Sequence, residues 1–466
     1  MEPLVAEDIA AIYGASGSFN PDGYEAIIAK LERAATLPRR PHTINSADYP
    51  TVYVTSDIHA DLRKFTQMLI STGLITTAYD PGFDPYTDSI YDPRFIASAQ
   101  WTAPRGTLLV IIGDIVDGKR SFNRGAPPFN QVVDSRGSFE LLIFALLYNL
   151  RIQANANGSE IRFTFGNHEL ISVIHNVNPD DYLPYVHDTA TEFFSNVDMS
   201  WSDMRRVAIL PFLELCPYYI LTLQNGATNE VAFVHGGLHI NNGVVVQGLS
   251  ATLTGFQTEI DTGARPYDRL TDDMKSEDLS PLWTRFYAST KLGKCMRLSP
   301  EYKLILVGHC VTSSSFPRFI ELKRDNALYR LCDDGDYITV NGMKQEKGLH
   351  GCVLLDCPAE RDDDIGAPRL GFVDTAMSAC QHLPNMPAQG ILEIPRDVQI
   401  VQMMKLSHIE RPSIRYYNRV ERVLVPTGTV ELLYEIPVVG GRRKTRRNKA
   451  SSIRSRRNAN RKTKRR

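Results

Sequence analysis

Thr107-Leu108-Leu109-Val110-Ile111-Ile112-Gly113-Asp114-Ile115-Val116-Asp117 is the stretch that decides the fold. An apolar run that stops at once in Gly and Asp reads as a β-strand presenting carboxylates at one edge of a sheet, where open α/β sheets bind ligands. The same pattern recurs along the chain. TVYVTS leads into Asp57-Ile58-His59, EVAFVH ends in His235-Gly236-Gly237, and KLILVGH ends in Gly308-His309. The alternating strand RFTF leads into Gly166-Asn167-His168-Glu169. One Asp-x-His alone is an ordinary polar strand end. Five polar strand ends in order are not, and a buried Asn beside His and Glu is costly to satisfy without a purpose. Together these Asp, His and Asn residues form a hard oxygen and nitrogen ligand set suited to a pair of divalent first-row metals.

In these motifs the chain resembles the calcineurin-like metallophosphoesterases, in their phosphoprotein phosphatase branch, over residues 50–380. The family pattern D-x-H, GD-x-VD, GNHE, HGG and GH stands here as DIH, GDIVD, GNHE, HGG and GH. GNHEL, Ser280-Pro281-Leu282-Trp283-Thr284-Arg285 and Asp374-Thr375-Ala376-Met377-Ser378 are similar to the Shewanella-like, bacterial-type serine/threonine phosphatases and their diadenosine-tetraphosphatase relatives. Two positions depart from the pattern: DIHAD replaces the usual DIHG, and Gly118 replaces the arginine that usually follows the VD pair.

The resemblance implies an α/β metallophosphoesterase fold: two packed mixed β-sheets flanked by helices, with the di-metal site at strand ends. It implies two divalent metal ions, manganese first and iron or zinc as alternatives, holding a hydroxide in line with phosphorus. Asp57 and His59 would clasp the first metal, Asp114 would bridge, and Asn167, His235 and His309 would complete the second. The residue types agree: Asp57 and His59 lie two apart past a strand, and the Asn side-chain carbonyl is an oxygen ligand without charge. By the same resemblance His168 is the general acid rather than a ligand, oriented and kept protonated by Asp117. Arg285 matches a phosphate-binding arginine, and Lys119 or Arg120 either replaces the one missing at Gly118 or is plain surface charge. Glu169 is expected to brace the following helix, Trp283 to pack in the core, His175 and His239 to be hydrogen-bonded structural histidines rather than groups behind the ligands, and Asp374 to support the site.

The activity so implied is phosphomonoester hydrolysis, with phosphoserine or phosphothreonine in proteins ahead of a dinucleoside polyphosphate or other small phosphoester. A non-catalytic binding protein on a decayed phosphatase fold is the competing class, and the loss at Gly118 is its only mark. A nuclease draws on the basic tail alone.

Composition agrees with a large α/β enzyme. At 466 residues the chain exceeds the usual single-core limit. No uninterrupted apolar stretch is long enough to cross a bilayer. The start MEPLVAEDIA lacks a basic n-region, so no signal peptide is expected. Seven cysteines, with no C-x-x-C spacing, read as reduced thiols of an intracellular protein, in the cytoplasm or nucleus of a host or packaged in a virion. Net charge is −1, yet residues 442–466 hold 14 Lys/Arg and no acid, leaving 38 basic against 53 acidic residues in the body. So polar a run does not fold alone, and its charge fits nucleic acid or an anionic surface. In composition it resembles the tails of proteins from large DNA viruses.

The expected organisation is a helical lead-in over 1–46, with DGYEAIIAKLERAA as one amphipathic helix, and a catalytic domain over 47–390. Residues 75–105, rich in Tyr, Asp and Pro, form an irregular insertion, either a substrate-facing flap or a surface excursion. Residues 391–439 form a small β extension packed on the core, and 440–466 a disordered basic tail. SFELLIFALLYNLRIQANANG is a strong helix with a glycine stop.

Overall fold

The structure is a computed structural model. It describes residues 2–11, 29–30, 40–58, 62–78, 93–115, 139–169, 218–240, 282–283, 297–298, 302–309, 329–330, 337–340, 343–346, 353–356, 369–373, 400–408, 417–425 and 430–435. Most of the helix expected at DGYEAIIAKLERAA, the centre of the 75–105 insertion, and the basic tail lie outside them.

Apolar runs become strands of two mixed sheets. The first has six strands in the order β19-β18-β17-β2-β5-β6. Its catalytic half is β2 (Thr51–Ser56), β5 (Thr107–Ile112) and β6 (Glu160–Thr164), all parallel. All six residues of β5 are buried, as expected for a parallel strand covered on both faces. The other half is an antiparallel meander of β17 (Ile400–His408), β18 (Tyr417–Val425) and β19 (Val430–Glu435). β17 pairs directly with β2, Leu406 opposite Val52, so these C-terminal strands extend the catalytic sheet itself.

The second sheet has seven strands in the order β1-β7-β8-β11-β16-β15-β12. They are β1 (Thr43–Asn45), β7 (Ile220–Asn225), β8 (Thr228–Val234), β11 (Leu304–Val307), β12 (Tyr329–Arg330), β15 (Val353–Asp356) and β16 (Arg369–Phe372). β1 lies in the lead-in expected to be mainly helical, and pairs in parallel with β7. Three short antiparallel pairs complete the described strands: β3 (Ile75–Thr76) with β4 (Gln100–Trp101), β9 (His239–Ile240) with β10 (Arg297–Leu298), and the hairpin of β13 (Tyr337–Val340) with β14 (Met343–Glu346).

Helix α1 (Ala6–Ala11) opens the chain, and α2 (Leu62–Ser71) follows β2, burying Leu62, Phe65, Met68 and Leu69 at helical spacing. The long helix α4 (Phe139–Ala156) is apolar around its circumference and is correspondingly buried from Ile143 to Leu150. Gly158, at φ 72°, ends it. Asn149 on α4 receives Leu4 N–H at 2.7 Å and donates to Leu4 O at 2.8 Å, tying the N-terminal segment to the core. No helix among the described residues is long and apolar enough to cross a membrane.

The insertion is ordered at its base. β3 and β4 pair its two ends, and α3 (Pro93–Ser98) buries Ile96. Gln153 of α4 accepts Trp101 N–H at 2.8 Å and donates to Ala99 O at 3.0 Å. Gln153 lies near the C-terminal end of α4, and Trp101 leads into the start of β5. The base is therefore attached toward the edge opposite the Asp114 end of that strand.

A buried charge network joins the two sheets. Phe165 N–H donates to Tyr218 O at 2.6 Å where β6 ends and β7 begins. Nearby, Glu160 pairs with Arg40 and, at 2.9 Å, with Arg162, while Tyr49 Oη donates to it at 2.8 Å. Arg162 also donates to Tyr218 Oη at 2.6 Å and Pro41 O at 3.1 Å. Burial works to raise the Glu160 pKa, but Arg162 and Arg40 outweigh it and hold the carboxyl below its ordinary value. The network therefore contributes fully above the ordinary glutamate pKa of about 4.3, and is lost as pH falls through the lowered folded value. Glu160→Gln should cost about 3–5 kcal/mol at neutral pH, since it leaves the buried Arg162 guanidinium without its counter-charge. It should also flatten the acid limb of a melting-temperature profile; an unchanged profile would remove Glu160 as its source.

Candidate metal centre

The catalytic strands end in register. Ser56 pairs with Ile112, Ile112 with Thr164, and, in the other sheet, Val234 with Val307. Asp57, Asp114 and Asn167 therefore leave the six-stranded sheet at one level, and His235 and His309 leave the seven-stranded sheet together. The two groups meet through the backbone. His235 Nδ1 lies 2.9 Å from Ile112 O, and Asp57 Oδ2 accepts His309 N–H at 3.0 Å across 252 residues of sequence.

The backbone is bent hard to do this. Asp57, Asp114 and His309 are the positive-φ residues other than glycine among those described, at 49°, 51° and 59°. Such conformations cost about 1–3 kcal/mol each and cluster at functional sites. Glycines make room for the result. A Cβ on Gly308 would lie 2.5 Å from Asp57 Oδ2, and one on Gly166 would collide with Asp114 Oδ1. The Gly in GN and GH is thus set by the ligand side chain that occupies its Cβ position.

Three electron-rich atoms converge. With Nδ1–H donated to Ile112 O, His235 directs Nε2 toward Asn167 Oδ1 at 2.9 Å and Asp114 Oδ2 at 3.2 Å. His309 adds a fourth group, since ligating atoms of Asp114, His235 and His309 all lie within 4.8 Å of one another. Its own Nε2 is 3.0 Å from Trp283 O, an outer contact that fixes the ring and leaves Nδ1 for a ligand. All these ligand residues are buried. Oxygen and imidazole donors facing one another in a dry site fit a divalent cation.

Of the residues expected from sequence, the structure brings together Asp57, Asp114, Asn167, His168, His235 and His309. His168 sits beside the cluster, its Nε2 3.7 Å from Asp114 Oδ2 and its N–H donated to Asp114 Oδ1 at 3.0 Å. His59, Asp117, Gly118, Lys119, Arg120, His175, Arg285 and Asp374 lie outside the described residues, as does the side chain of His239. Sequence reasoning missed the use of the Trp283 carbonyl, because a backbone oxygen leaves no mark in residue type. It also assigned Glu169 to the following helix alone, whereas its carboxylate reaches across to the loop after β5.

Residues 50–340, well over half of the chain, match the family model of the calcineurin-like phosphoesterases. The chain belongs to this family. It is a family of dimetal-dependent phosphoesterases, so the hydrolase class follows. Among solved structures, the chain is similar to the cold-active protein-tyrosine phosphatase of a psychrophilic Shewanella species, at 16% identity and TM-score 0.43, covering 87% of this chain and 84% of that one. It is also similar to a Saccharomyces cerevisiae serine/threonine phosphatase that itself resembles human PP5, at 15% identity and TM-score 0.35, covering 79% and 96%. The phosphatase domain of the Legionella effector WipB matches at 15% identity and TM-score 0.26, covering 46% and 80%. No curated protein matches the chain in sequence.

For the bare side chains, burial disfavours a charged His235, but the Asp114 and Asp57 carboxylates outweigh it and push the ring up to about 10. A cation needs the neutral ring, so binding at neutral pH expels this proton. Apparent manganese affinity should rise with pH through the neutral range, by up to about tenfold per unit for one displaced proton. Calorimetry in buffers of different ionisation enthalpy measures the released proton. An affinity that is flat from roughly pH 6 to 8 would contradict the assignment.

Proposed function

We propose that the protein is a di-metal-dependent phosphatase that hydrolyses phosphomonoesters, with phosphoserine and phosphothreonine in proteins as its substrates. The observation that carries this reading is the convergence of Asp114 Oδ2, Asn167 Oδ1 and His235 Nε2 with a further histidine, His168, held beside them. When bound, two divalent ions supply an activated water and neutralise phosphate oxygens. The chain would do the rest. Asp57, His59, Asp114, Asn167, His235 and His309 hold the ions, and Asp114 Oδ1 fixes the backbone from which His168 projects. His168 gives its proton to the leaving oxygen, with Asp117 supporting the charged ring. Arg285, with Lys119 or Arg120, grips the remaining phosphate oxygens. The preference for phosphoproteins rests on GNHEL, SPLWTR and DTAMS, through their resemblance to the bacterial-type phosphatases.

Manganese-reconstituted protein should hold about two ions per chain and turn over phosphopeptides faster than diadenosine tetraphosphate. No bound metal and no turnover would remove the proposal; preference for the dinucleotide would replace the substrate. His168→Asn should keep the metal but lower turnover by about 10²–10⁴-fold, less with p-nitrophenyl phosphate, whose leaving group needs little protonation. Equal losses on good and poor leaving groups would give His168 another role.

The tail is proposed to hold nucleic acid or another polyanion apart from catalysis. Deleting residues 440–466 should leave turnover of a small phosphoester intact and abolish salt-sensitive DNA binding. Lost turnover would make the tail part of the enzyme.

A further inference from the structure

Glu169 is fully buried, and each of its oxygens is used. Oε2 accepts Asp114 N–H and Gly166 N–H, both at 2.7 Å, and Oε1 accepts Ile115 N–H at 2.7 Å. The bond to Gly166 spans three residues, the reach of a glutamate in the first turn of a helix back to the residue that caps it. Gly166 has no side chain to return the favour. Asp114 Oδ1 does so from the neighbouring strand end, accepting His168 N–H at 3.0 Å. Two loops thus exchange bonds in a closed circuit: Glu169 holds the Asp114 loop, and Asp114 holds the Asn167–His168 turn.

This circuit has a consequence for the metals. Asp114 stands at φ 51°, a conformation that its surroundings must enforce, and the N–H groups of Asp114 and Ile115 are the handles. With Oδ1 committed to His168 N–H, the other oxygen, Oδ2, is the one turned toward His235 Nε2 and His168 Nε2. We propose that Glu169 is a positioning residue for the metal centre, locking the loop after β5 so that Asp114 presents one defined oxygen to the ions while its partner oxygen anchors the general acid. This rests on the metal-dependent reading above. Three N–H donors on one buried carboxylate are short, charge-assisted bonds, so the lock is stiff. Glu169 acts through these backbone bonds, as a positioning residue.

Charge and position can be separated experimentally. Glu169→Gln keeps the length of the side chain and removes its charge, turning an NH₂ toward a backbone N–H. Glu169→Asp keeps the charge and is one methylene too short to reach all three donors. Manganese affinity should be measured for both variants and the wild type by competition with a fluorescent chelator, well below their melting temperatures, alongside melting of the metal-free proteins. Both variants should bind manganese about 10–100-fold more weakly, the range for lost outer-shell partners. Saturating manganese should restore much of the turnover of Glu169→Gln. Unchanged affinity with a lowered melting temperature would make Glu169 a purely structural residue. Weakening by Gln alone would mean that charge, and not position, is what matters. If the wild type takes up no manganese, the proposed function fails and takes this role with it. If the wild type binds manganese and both variants bind it equally well, the positioning role alone is lost.

Discussion

Asp57, Asp114 and His309 are held in left-handed backbone, and the rest of the site exists to sustain that. A strand continued in the usual conformation would send these side chains alternately to its two faces. Bending the chain sharply after the last ladder bond turns them toward one point instead. Each bend costs about 1–3 kcal/mol, so each needs a compensating bond. Asp57 takes His309 N–H, Glu169 takes Asp114 N–H, and glycines at 166 and 308 leave space for the carboxylates. The strain of one loop is thereby relieved by a group on another, which makes the cluster rigid as a unit.

Two sheets are required because no single sheet end carries enough ligands. Among the described residues, the six-stranded sheet brings two carboxylates and an amide to the site, and the seven-stranded sheet brings two imidazoles. Buried carboxylates are costly without counter-charge. Against burial, Asp114 and Asp57 push the bare His235 ring up to about 10, and a pair of divalent ions supplies that counter-charge in an enzyme of this family. The sheets are tied at both ends of β6, by the Glu160–Arg162 network from its start and by the Phe165–Tyr218 bond just past its end.

Much of this was legible in the chain. TLLVII, EVAFV and LILV are short, apolar and abruptly ended, and all became strands whose next residues are ligand candidates. The helix over Phe139–Ala156 was equally clear from its length and its glycine stop. What escaped has physical reasons. β1 is three residues long, too short for any period, and its partner strand lies far along the sequence. α3 and the pairing of β3 with β4 hide in a Pro- and Asp-rich stretch whose order comes from Gln153 of α4. Glu169 stood inside a recognised motif, but its bonds go to backbone N–H groups on another strand end, and residue type cannot report a tertiary partner. The same holds for Arg162, whose burial against Glu160 leaves no mark in the sequence pattern.

The central claim is that strand ends of both sheets form one dinuclear centre bridged by Asp114. Anomalous diffraction from crystals of the manganese-loaded protein tests it most directly. The account predicts two peaks about 3.5–4 Å apart, both against Asp114, one beside Asn167, His235 and His309 and the other beside Asp57. A single peak, or manganese bound away from Asp114, would contradict it.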